Sequence, residues 1–299
     1  MIDGFAILAI AIMTACLAYP LIRRFSASLS IAIGIVLVFI VEIIAIEFYF
    51  SPDPLSFPDN LAFNPIYLRT GDSIYTVFTA IFIHADFFHI LFNAIALVFL
   101  GLMLEEKIGA RKLIVIFVIA GIVGNIVYGI ANLNQYSPAV GASGAISGIL
   151  GGMLALFPRE RVNFIIYFFP LRNVPIWMVV LIFLAIQLLF VLAPGARVAW
   201  QAHIGGLVAG LLFTPSIARF GLRGLEIRTG NTIDINKLAK TKEEREIAER
   251  IESESIPEIR KAWLEQFAKT AKCPICGSRM RAQRNGFKCR NNHRFKIGE

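Results

Sequence analysis

The sequence has little charge. Charged residues make up 17% of the 299 residues, whereas about a quarter is usual for a soluble domain. Hydrophobic residues make up 57%, which excludes a single large soluble core. Apolar runs close to 20 residues long recur, and such a run is enough to cross roughly 30 Å of hydrocarbon as a helix. We therefore predict an all-α polytopic membrane protein, with membrane helices at 4–22, 29–49, 89–104, 113–131, 143–157, 176–192 and 201–217.

A basic start is also missing. A cleavable signal peptide begins with positive charge, but here Asp3 precedes the first apolar run and Arg23 and Arg24 follow it. We expect this run to remain as a membrane helix. Cations are scarce in alternate connections; residues 132–142 have none. By the positive-inside rule, the N-terminus is expected outside the cell membrane and the C-terminal tail in the cytoplasm.

Composition divides the chain into four predicted regions. These are an extra N-terminal transmembrane helix at 1–28, a membrane core at 29–217, a charged helical cytoplasmic linker at 218–271 and a small domain at 272–299. The linker carries dense charges of both signs. We expect two solvated helices there, at 238–254 and 258–270, with Pro257 opening the second. A spacer without chemistry is the simplest interpretation of this linker.

The chain has only four cysteines, and three of them lie in the last region. Cys273-Pro274-Ile275-Cys276 is followed by Cys289 and His293, and Gly277 provides a turn. This spacing is typical of a small tetrahedral zinc site, as in a zinc ribbon. Four protein ligands leave no open position, so such a zinc ion is structural. An incidental cluster that binds no metal is the alternative.

Acidic residues are nearly absent from the same region. Residues 272–299 contain eight cations and one anion, Glu299, so they carry +7 of the chain's net charge of +8. Each cation held near an anionic membrane surface contributes about 1 kcal/mol. The partner of this module is unknown from the sequence; anionic lipid or protein is favoured over nucleic acid.

Two membrane segments carry small residues at every fourth position, which lets helix backbones approach closely in lipid. The residues are Gly144, Gly148 and Gly152 in one segment, and Ala202, Gly206 and Gly210 in the other. Ser143 and His203 flank these faces near the outer ends of their helices. Close packing would bring the hydroxyl to the imidazole, which then acts as general base for a serine nucleophile. No acidic third member is evident, so we predict a dyad; plain helix packing beside two polar bystanders is the alternative.

A third element supplies further polar groups. His89 and Asn93 are four residues apart and share a helix face, and both donate hydrogen bonds of the kind that stabilise an oxyanion in acyl transfer. A metal site at His84 and His89 is the rival interpretation. These two are five apart, about 140° around a helix, so they do not converge as ligands four apart do.

With these residues in place, the chain resembles the rhomboid family of intramembrane serine proteases over residues 29–217. The matching motifs are His84-x4-His89-x3-Asn93, Gly141-Ala142-Ser143-Gly144 and Ala202-His203-x2-Gly206-x3-Gly210, in family order. The resemblance implies a six-helix catalytic core with a cavity open to the outside, here with one extra N-terminal helix.

In that family, the residue matching Ser143 is the nucleophile and the residue matching His203 is the base. The resemblance also implies that His89, Asn93 and the Ser143 N–H line an oxyanion hole. His84 would organise the neighbouring loop, and Gly144 and Gly206 would shape the site. Glu105 matches a carboxylate with a structural role.

The sequence departs from the family pattern at two places. Many members carry a Trp-Arg pair in the first external loop, where this chain has Tyr75-Thr76. Some members place an aromatic residue four positions after the nucleophile, against the histidine, where this chain has Ser147. Neither departure removes a catalytic group; the first concerns the anchoring of the loop and the second the support of the imidazole.

Three functions follow as hypotheses. The first is a serine endopeptidase that cuts membrane-protein substrates in or near their transmembrane segments and uses no metal in catalysis. The second is a catalytically silent relative that binds membrane clients. The third is a transporter or channel, and the absence of an evident inverted repeat argues against it.

Overall fold

The structure is a computed structural model. It describes residues 4–23, 25–49, 61–166, 169–193, 198–219, 232–254, 256–274, 277–283, 286–289 and 294–297. The chain divides into two compact units, Met1–Gly221 and Leu222–Glu299. The finer division into four regions stays a prediction.

The first unit contains helices at all seven predicted apolar segments. They are α1 (Gly4–Ile22), α2 (Ala27–Tyr49), α5 (Phe87–Ile108), α6 (Ala110–Ala131), α7 (Ser143–Leu156), α8 (Ile176–Leu192) and α9 (Trp200–Arg219). Within the described residues, five are long and apolar enough to cross a membrane: α1, α2, α5, α6 and α9. Helices α7 and α8 are apolar but shorter. Two one-turn helices, α3 (Tyr67–Thr70) and α4 (Thr76–Thr79), lie between α2 and α5.

Helix α7 is the centre of this unit. All ten residues at 144–153 are buried, and glycine lets the neighbouring backbones reach them. A Cβ atom placed on Gly206 or Gly210 of α9 would collide with the carbonyl oxygens of Gly144 and Gly148. Helix α6 also packs against α9 at Gly124, where the absence of a side chain makes room for the Ala202 carbonyl. The two small-residue faces therefore pack backbone to backbone, which fixes the positions of Ser143 and His203 at their ends.

The long connection between α2 and α5 packs against this core over the residues described, 61–86. Phe63 is fully buried and pairs with Ala139 in an isolated β-bridge. Asn125 of α6 donates to the Val77 carbonyl at 2.8 Å. The described residues of this connection are thus part of the core.

Glu105, near the end of α5, holds the start of α2. Its carboxylate accepts from the backbone N–H groups of Ala27 and Ser28 at 2.9 and 2.8 Å. It also accepts from the hydroxyls of Ser26 and Ser28 at 2.9 and 2.7 Å. The first N–H groups of a helix lack acceptors within the helix and favour negative charge, so this carboxylate satisfies them from outside.

We expect Glu105→Ala to lower the free energy of unfolding by about 2–4 kcal/mol, because it leaves several donors at the α2 N-terminus without their acceptor. Unfolding followed by circular dichroism in detergent measures the change. Glu106→Ala is the matched control, since Glu106 is exposed and is expected to stay within about 0.5 kcal/mol of wild type. Equal losses in both variants would contradict the capping role.

Between α7 and α8 the chain forms a hairpin that the sequence analysis did not foresee. Strands β1 (Arg161–Ile166) and β2 (Phe169–Pro175) pair antiparallel. The Asn163 side chain accepts from the Asn173 N–H at 2.8 Å. Strand β2 ends at Pro175, directly before α8 begins at Ile176, so the hairpin sets where α8 enters the bundle.

Glu42 of α2 is 2% exposed, and neither of its carboxyl oxygens has a hydrogen-bond partner among the described residues. A carboxyl this deep in a membrane helix needs a polar partner or a water path. Within the described residues, the backbone N–H of His84 is a polar group close to this carboxyl.

The second unit is a small α+β module. Its strands are β3 (Thr232–Ile233), β4 (Met280–Gln283), β5 (Gly286–Cys289) and β6 (Arg294–Ile297), in the sheet order β3-β6-β5-β4. Its helices are α10 (Ile235–Leu238), α11 (Lys242–Ser253) and α12 (Pro257–Thr270). Helices and strands share one apolar core, which includes Ile251, Phe267 and Phe287.

Helix α11 is shorter than the segment 238–254 predicted from the sequence. The Thr241 hydroxyl accepts from the Glu244 N–H at 3.1 Å, and the Glu244 carboxylate accepts from the Thr241 N–H at 3.0 Å. This capping box starts the helix at Lys242. The helix is also not solvated on all sides, because Ile247, Ala248 and Ile251 are buried.

Candidate active site

Ser143 and His203 meet at the end of the α7–α9 contact. Ser143 is the first residue of α7, and His203 lies in the first turn of α9. The Ser143 Oγ is 2.7 Å from the His203 Nε2. Both side chains are half-buried. A serine hydroxyl at this distance can donate its proton to a neutral imidazole, as a nucleophile with its general base requires.

The backbone before Ser143 is shaped by Gly141. Its φ of 119° lies in the region that only glycine adopts readily, and its N–H donates to the Ala80 carbonyl at 2.8 Å. Ala142 then precedes the first residue of α7. Because the first N–H groups of a helix have no acceptor within the helix, the Ser143 N–H is suited to bind a developing negative charge.

His84 and His89 lie beside this turn. The two rings meet edge to face with their centroids 5.1 Å apart. The His89 ring fills the space next to Gly141, where a Cβ would come within 2.6 Å of Nε2. The structure therefore brings His89 to the residues that precede the candidate nucleophile.

His84 supports the same turn through both ring nitrogens. Its Nδ1 is 3.2 Å from the Phe82 carbonyl, and its Nε2 accepts from the Ala142 N–H at 3.5 Å. Burial of this imidazole lowers the pKa of His84 to about 3, so the ring is neutral at physiological pH. A neutral ring with its proton on Nδ1 satisfies both contacts, which agrees with a loop-organising role.

Asn93 is 6% exposed on α5, one turn after His89. Its Nδ2 donates to the His89 carbonyl of its own helix at 2.9 Å. That bond uses one of the two amide protons and leaves the other available. The assignment of Asn93 to an oxyanion hole stays a prediction.

Helix α8 contributes two side chains that the sequence analysis missed. The Gln187 Oε1 is 2.8 Å from the His203 Nδ1, the ring nitrogen opposite the serine. Phe183, one turn earlier, lies with its ring centroid 6.3 Å from that of His203. One signal was present in the sequence: Gln187 is the single amide in the otherwise apolar helix Ile176–Leu192.

At both departures from the family pattern, the structure shows a hydroxyl that bonds its own local backbone. The Ser147 hydroxyl donates to the Ser143 carbonyl at 2.7 Å, so it is engaged with its own helix. Thr76 is buried, and its hydroxyl donates to the Ser73 carbonyl at 2.7 Å. The support for the imidazole therefore comes from α8, in place of the position after the nucleophile.

The predicted zinc ligands are described only in part. Cys273 and Cys289 are both buried in the core of the second unit. Cys276 and His293 lie outside the described residues. Among the residues that are described, no group of three or more His, Cys, Asp or Glu could hold a metal ion, and this statement includes the surroundings of His84 and His89.

In the part of the chain that the structure describes, five helices are long and apolar enough to span a membrane, and a serine–histidine pair lies between two helices of the bundle. These features define a multi-pass membrane protein with a site like that of a serine hydrolase. The Rhomboid domain family matches residues 71–220, which is half of the chain. This protein belongs to the rhomboid family.

Individual relatives are similar over a little less than half of the chain. RHOMBOID-like protein 1 of Arabidopsis thaliana is 34% identical over 140 residues, which cover 46% of this chain and 33% of the relative. Rhomboid-like protease 3 of Toxoplasma gondii is 30% identical over 138 residues, 46% of this chain and 49% of the relative. Rhomboid protease GluP of Bacillus subtilis (strain 168) is 31% identical over 150 residues, 48% of this chain and 27% of the relative. The chain thus spans half or less of these relatives.

Proposed function

We propose that this protein is an intramembrane serine endopeptidase that uses a Ser143–His203 dyad. The observation that carries the proposal is the 2.7 Å contact between the Ser143 Oγ and the His203 Nε2 inside a bundle of apolar helices. Two of the similar proteins are named proteases, which supports the same reaction class.

The dyad acts in two half-reactions. The His203 Nε2 takes the hydroxyl proton while the Ser143 Oγ attacks the substrate carbonyl, and the tetrahedral oxyanion forms next to the Ser143 N–H. The imidazolium then gives this proton to the leaving amine, which leaves an acyl-enzyme. Water attacks the ester with His203 as base again, which releases the acid and restores the serine.

His89 and Asn93 are proposed as further donors to the oxyanion. Each donor placed where negative charge develops is worth about 2.7–4 kcal/mol of barrier. The position of His89 beside Gly141 supports its part, because this turn leads into the nucleophile. His84, Gly144 and Gly206 are proposed to shape the site and to bind no substrate.

The proposed substrates are membrane proteins cut in or near a transmembrane segment. A carbonyl inside a regular helix is shielded, so helix-breaking residues near the cut are expected to favour cleavage. The scarcity of cations in alternate connections supports an outside N-terminus and a cytoplasmic tail. The site then opens toward the outer face, because Ser143 follows the cation-free connection at 132–142.

The test is cleavage of a panel of tagged single-span proteins in liposomes, with product masses to locate the cut. A fluorophosphonate probe, which reacts with activated serines, is expected to label Ser143 in wild type and not in His203→Ala. A protein that binds these clients without cutting them, and that leaves the probe unreacted, would be the silent relative instead.

We also propose a structural zinc ion in the second unit, held by Cys273, Cys276, Cys289 and His293. Burial of Cys273 and Cys289 in one core supports the proposal, since both thiols belong to the same small module. The turn after Cys273 supports it too: the Gly277 N–H donates to the Cys273 carbonyl at 2.8 Å. When bound, such an ion adds folding energy to the module and takes no part in catalysis.

The zinc proposal predicts about one zinc ion per chain, measured by elemental analysis of the full-length protein after dialysis. Cys273→Ser is expected to lose most of the metal, because it removes one of four ligands. Cys16→Ala changes a cysteine of α1 outside the proposed ligand set and is expected to retain the metal. Wild-type protein without zinc would contradict the proposal, and so would equal loss in the two variants.

The basic charge of residues 272–299 supports an anionic lipid or protein surface as the partner of this module, ahead of nucleic acid. If this module lies on the cytoplasmic side, it would meet the anionic lipid headgroups of that leaflet.

A further inference from the structure

We propose that Gln187 is a positioning residue that fixes the tautomer and the orientation of His203. This inference rests on the function proposed above and extends it from two residues to three. The geometry is a continuous chain of hydrogen bonds from Ser143 through both nitrogens of one imidazole to Gln187.

The chemistry of the ring decides the direction of these bonds. A base that accepts the Ser143 proton must have an unprotonated Nε2, so the single proton of the neutral ring lies on Nδ1. That proton needs an acceptor. The Gln187 Oε1, 2.8 Å away, supplies it, and the same contact disfavours the tautomer that would block the serine.

The contact between Gln187 and His203 is strengthened by the burial of the Gln187 side chain. Gln187 is 5% exposed, although its neighbours Leu184, Leu188 and Leu189 on α8 are exposed. An amide buried in an apolar helix is costly unless it is hydrogen-bonded, so its placement toward His203 is specified by the fold. Water competes little for the Nδ1 proton at such a site.

The ring is held from the same helix by Phe183, which lies one turn from Gln187 and reaches the His203 ring. Ser147, at the position where a supporting aromatic would stand, is too small and bonds its own helix. Helix α8 therefore sets both the plane of the imidazole and its proton position. Neutral Gln187 orients the ring without the charge that an aspartate would add.

The test combines three variants. Gln187→Met keeps the side-chain length without the acceptor, Gln187→Glu replaces the amide by a carboxylate, and Leu188→Met is the control on the exposed face of α8. Each is followed by the rate of fluorophosphonate labelling at Ser143 across pH, and by kcat and KM where a substrate is cut.

For Gln187→Met we expect labelling and kcat to fall roughly 10- to 100-fold, less than the about 10²–10⁴-fold that a positioned base supplies, because the base itself remains. KM stays close to wild type, since Gln187 does not touch the substrate in this proposal. For Gln187→Glu the acid limb of the rate profile moves to higher pH, because a carboxylate beside Nδ1 stabilises the imidazolium. Among the described residues, the other groups near the ring are Ser143, Phe183 and His89, and they are unchanged in both variants.

A spectroscopic measurement separates this proposal from the proposed function. The chain has four histidines, so the ¹⁵N signals of His203 in liposomes are assigned by their loss in His203→Ala. We expect the proton on Nδ1 in wild type and a growing share on Nε2 in Gln187→Met. If wild type neither labels nor cuts, yet the tautomer still depends on Gln187, the endopeptidase proposal fails and the positioning proposal stands.

Labelling at the wild-type rate in Gln187→Met, with an unchanged His203 tautomer, would overturn the proposal. If Gln187→Met does not accumulate as folded protein, Gln187→Glu decides: a shifted acid limb supports the positioning role, and an unshifted one overturns it. A purely structural role predicts slower labelling in proportion to lost folded protein, with neither the tautomer nor the pH profile changed.

Discussion

Replacing Ser143 by alanine is expected to lower kcat by about 10⁴-fold or more, because the acyl-enzyme can no longer form. The fold should change little. The hydroxyl makes one described contact, to His203, and a single hydrogen bond contributes about 0.5–1.5 kcal/mol to stability. Cleavage of a reporter in liposomes and thermal unfolding of the same preparations measure the two effects.

His203→Ala is expected to be equally inactive, and the double variant no worse than either single one, because nucleophile and base act as a unit. Ser147→Ala is the matched control: it removes a hydroxyl from the same helix, one turn away, that bonds only the Ser143 carbonyl in the described contacts. We expect Ser147→Ala to retain most activity. Cleavage that persists in Ser143→Ala, at the same bond, would exclude the dyad.

The sequence predicted the parts of this fold that depend on hydrophobic length and on small residues. Seven apolar segments became seven helices, because a run of that length has few other stable structures in lipid. The glycine spacing predicted which two helices meet, and the contact between Gly206 and Gly144 follows directly from it. The pairing of Ser143 with His203 could be anticipated for the same reason.

Contacts that depend on three-dimensional neighbours could not be predicted. Gln187 is sixteen residues before His203 and on another helix, so nothing in its local sequence identifies its partner. The capping of α2 by Glu105 joins positions 77 to 79 residues apart. In the second unit, the high charge of α11 makes its sequence look fully solvated, and the buried face becomes evident only from its packing against α10 and α12.

The packing of α7 against α9 gives the second large effect. A Cβ at Gly206 would overlap the Gly144 carbonyl oxygen and come within 2.8 Å of the carbonyl carbon, and backbone atoms cannot rotate away. We expect Gly206→Ala to lower the free energy of unfolding by about 3 kcal/mol, the upper part of the range for overpacked cores. The higher helix propensity of alanine offsets only about 1 kcal/mol of that.

Activity should suffer more than stability, because any shift that relieves this clash separates the ends of the two helices. A displacement near 1 Å at a catalytic pair costs roughly 10²-fold in rate. Unfolding in detergent and cleavage by the folded fraction measure the two losses separately.

Gly144→Ala and Gly4→Ala provide the controls. A Cβ at Gly144 would be 3.3 Å from the Ala202 carbonyl oxygen, a tight contact that a small adjustment relieves, so the loss of stability should be much smaller than for Gly206→Ala. A Cβ at Gly4 meets nothing within 4 Å, and Gly4→Ala should leave both measurements unchanged. If Gly206→Ala unfolds and cleaves like Gly4→Ala, the two backbones are farther apart than this structure places them, and the dyad loses its geometric basis.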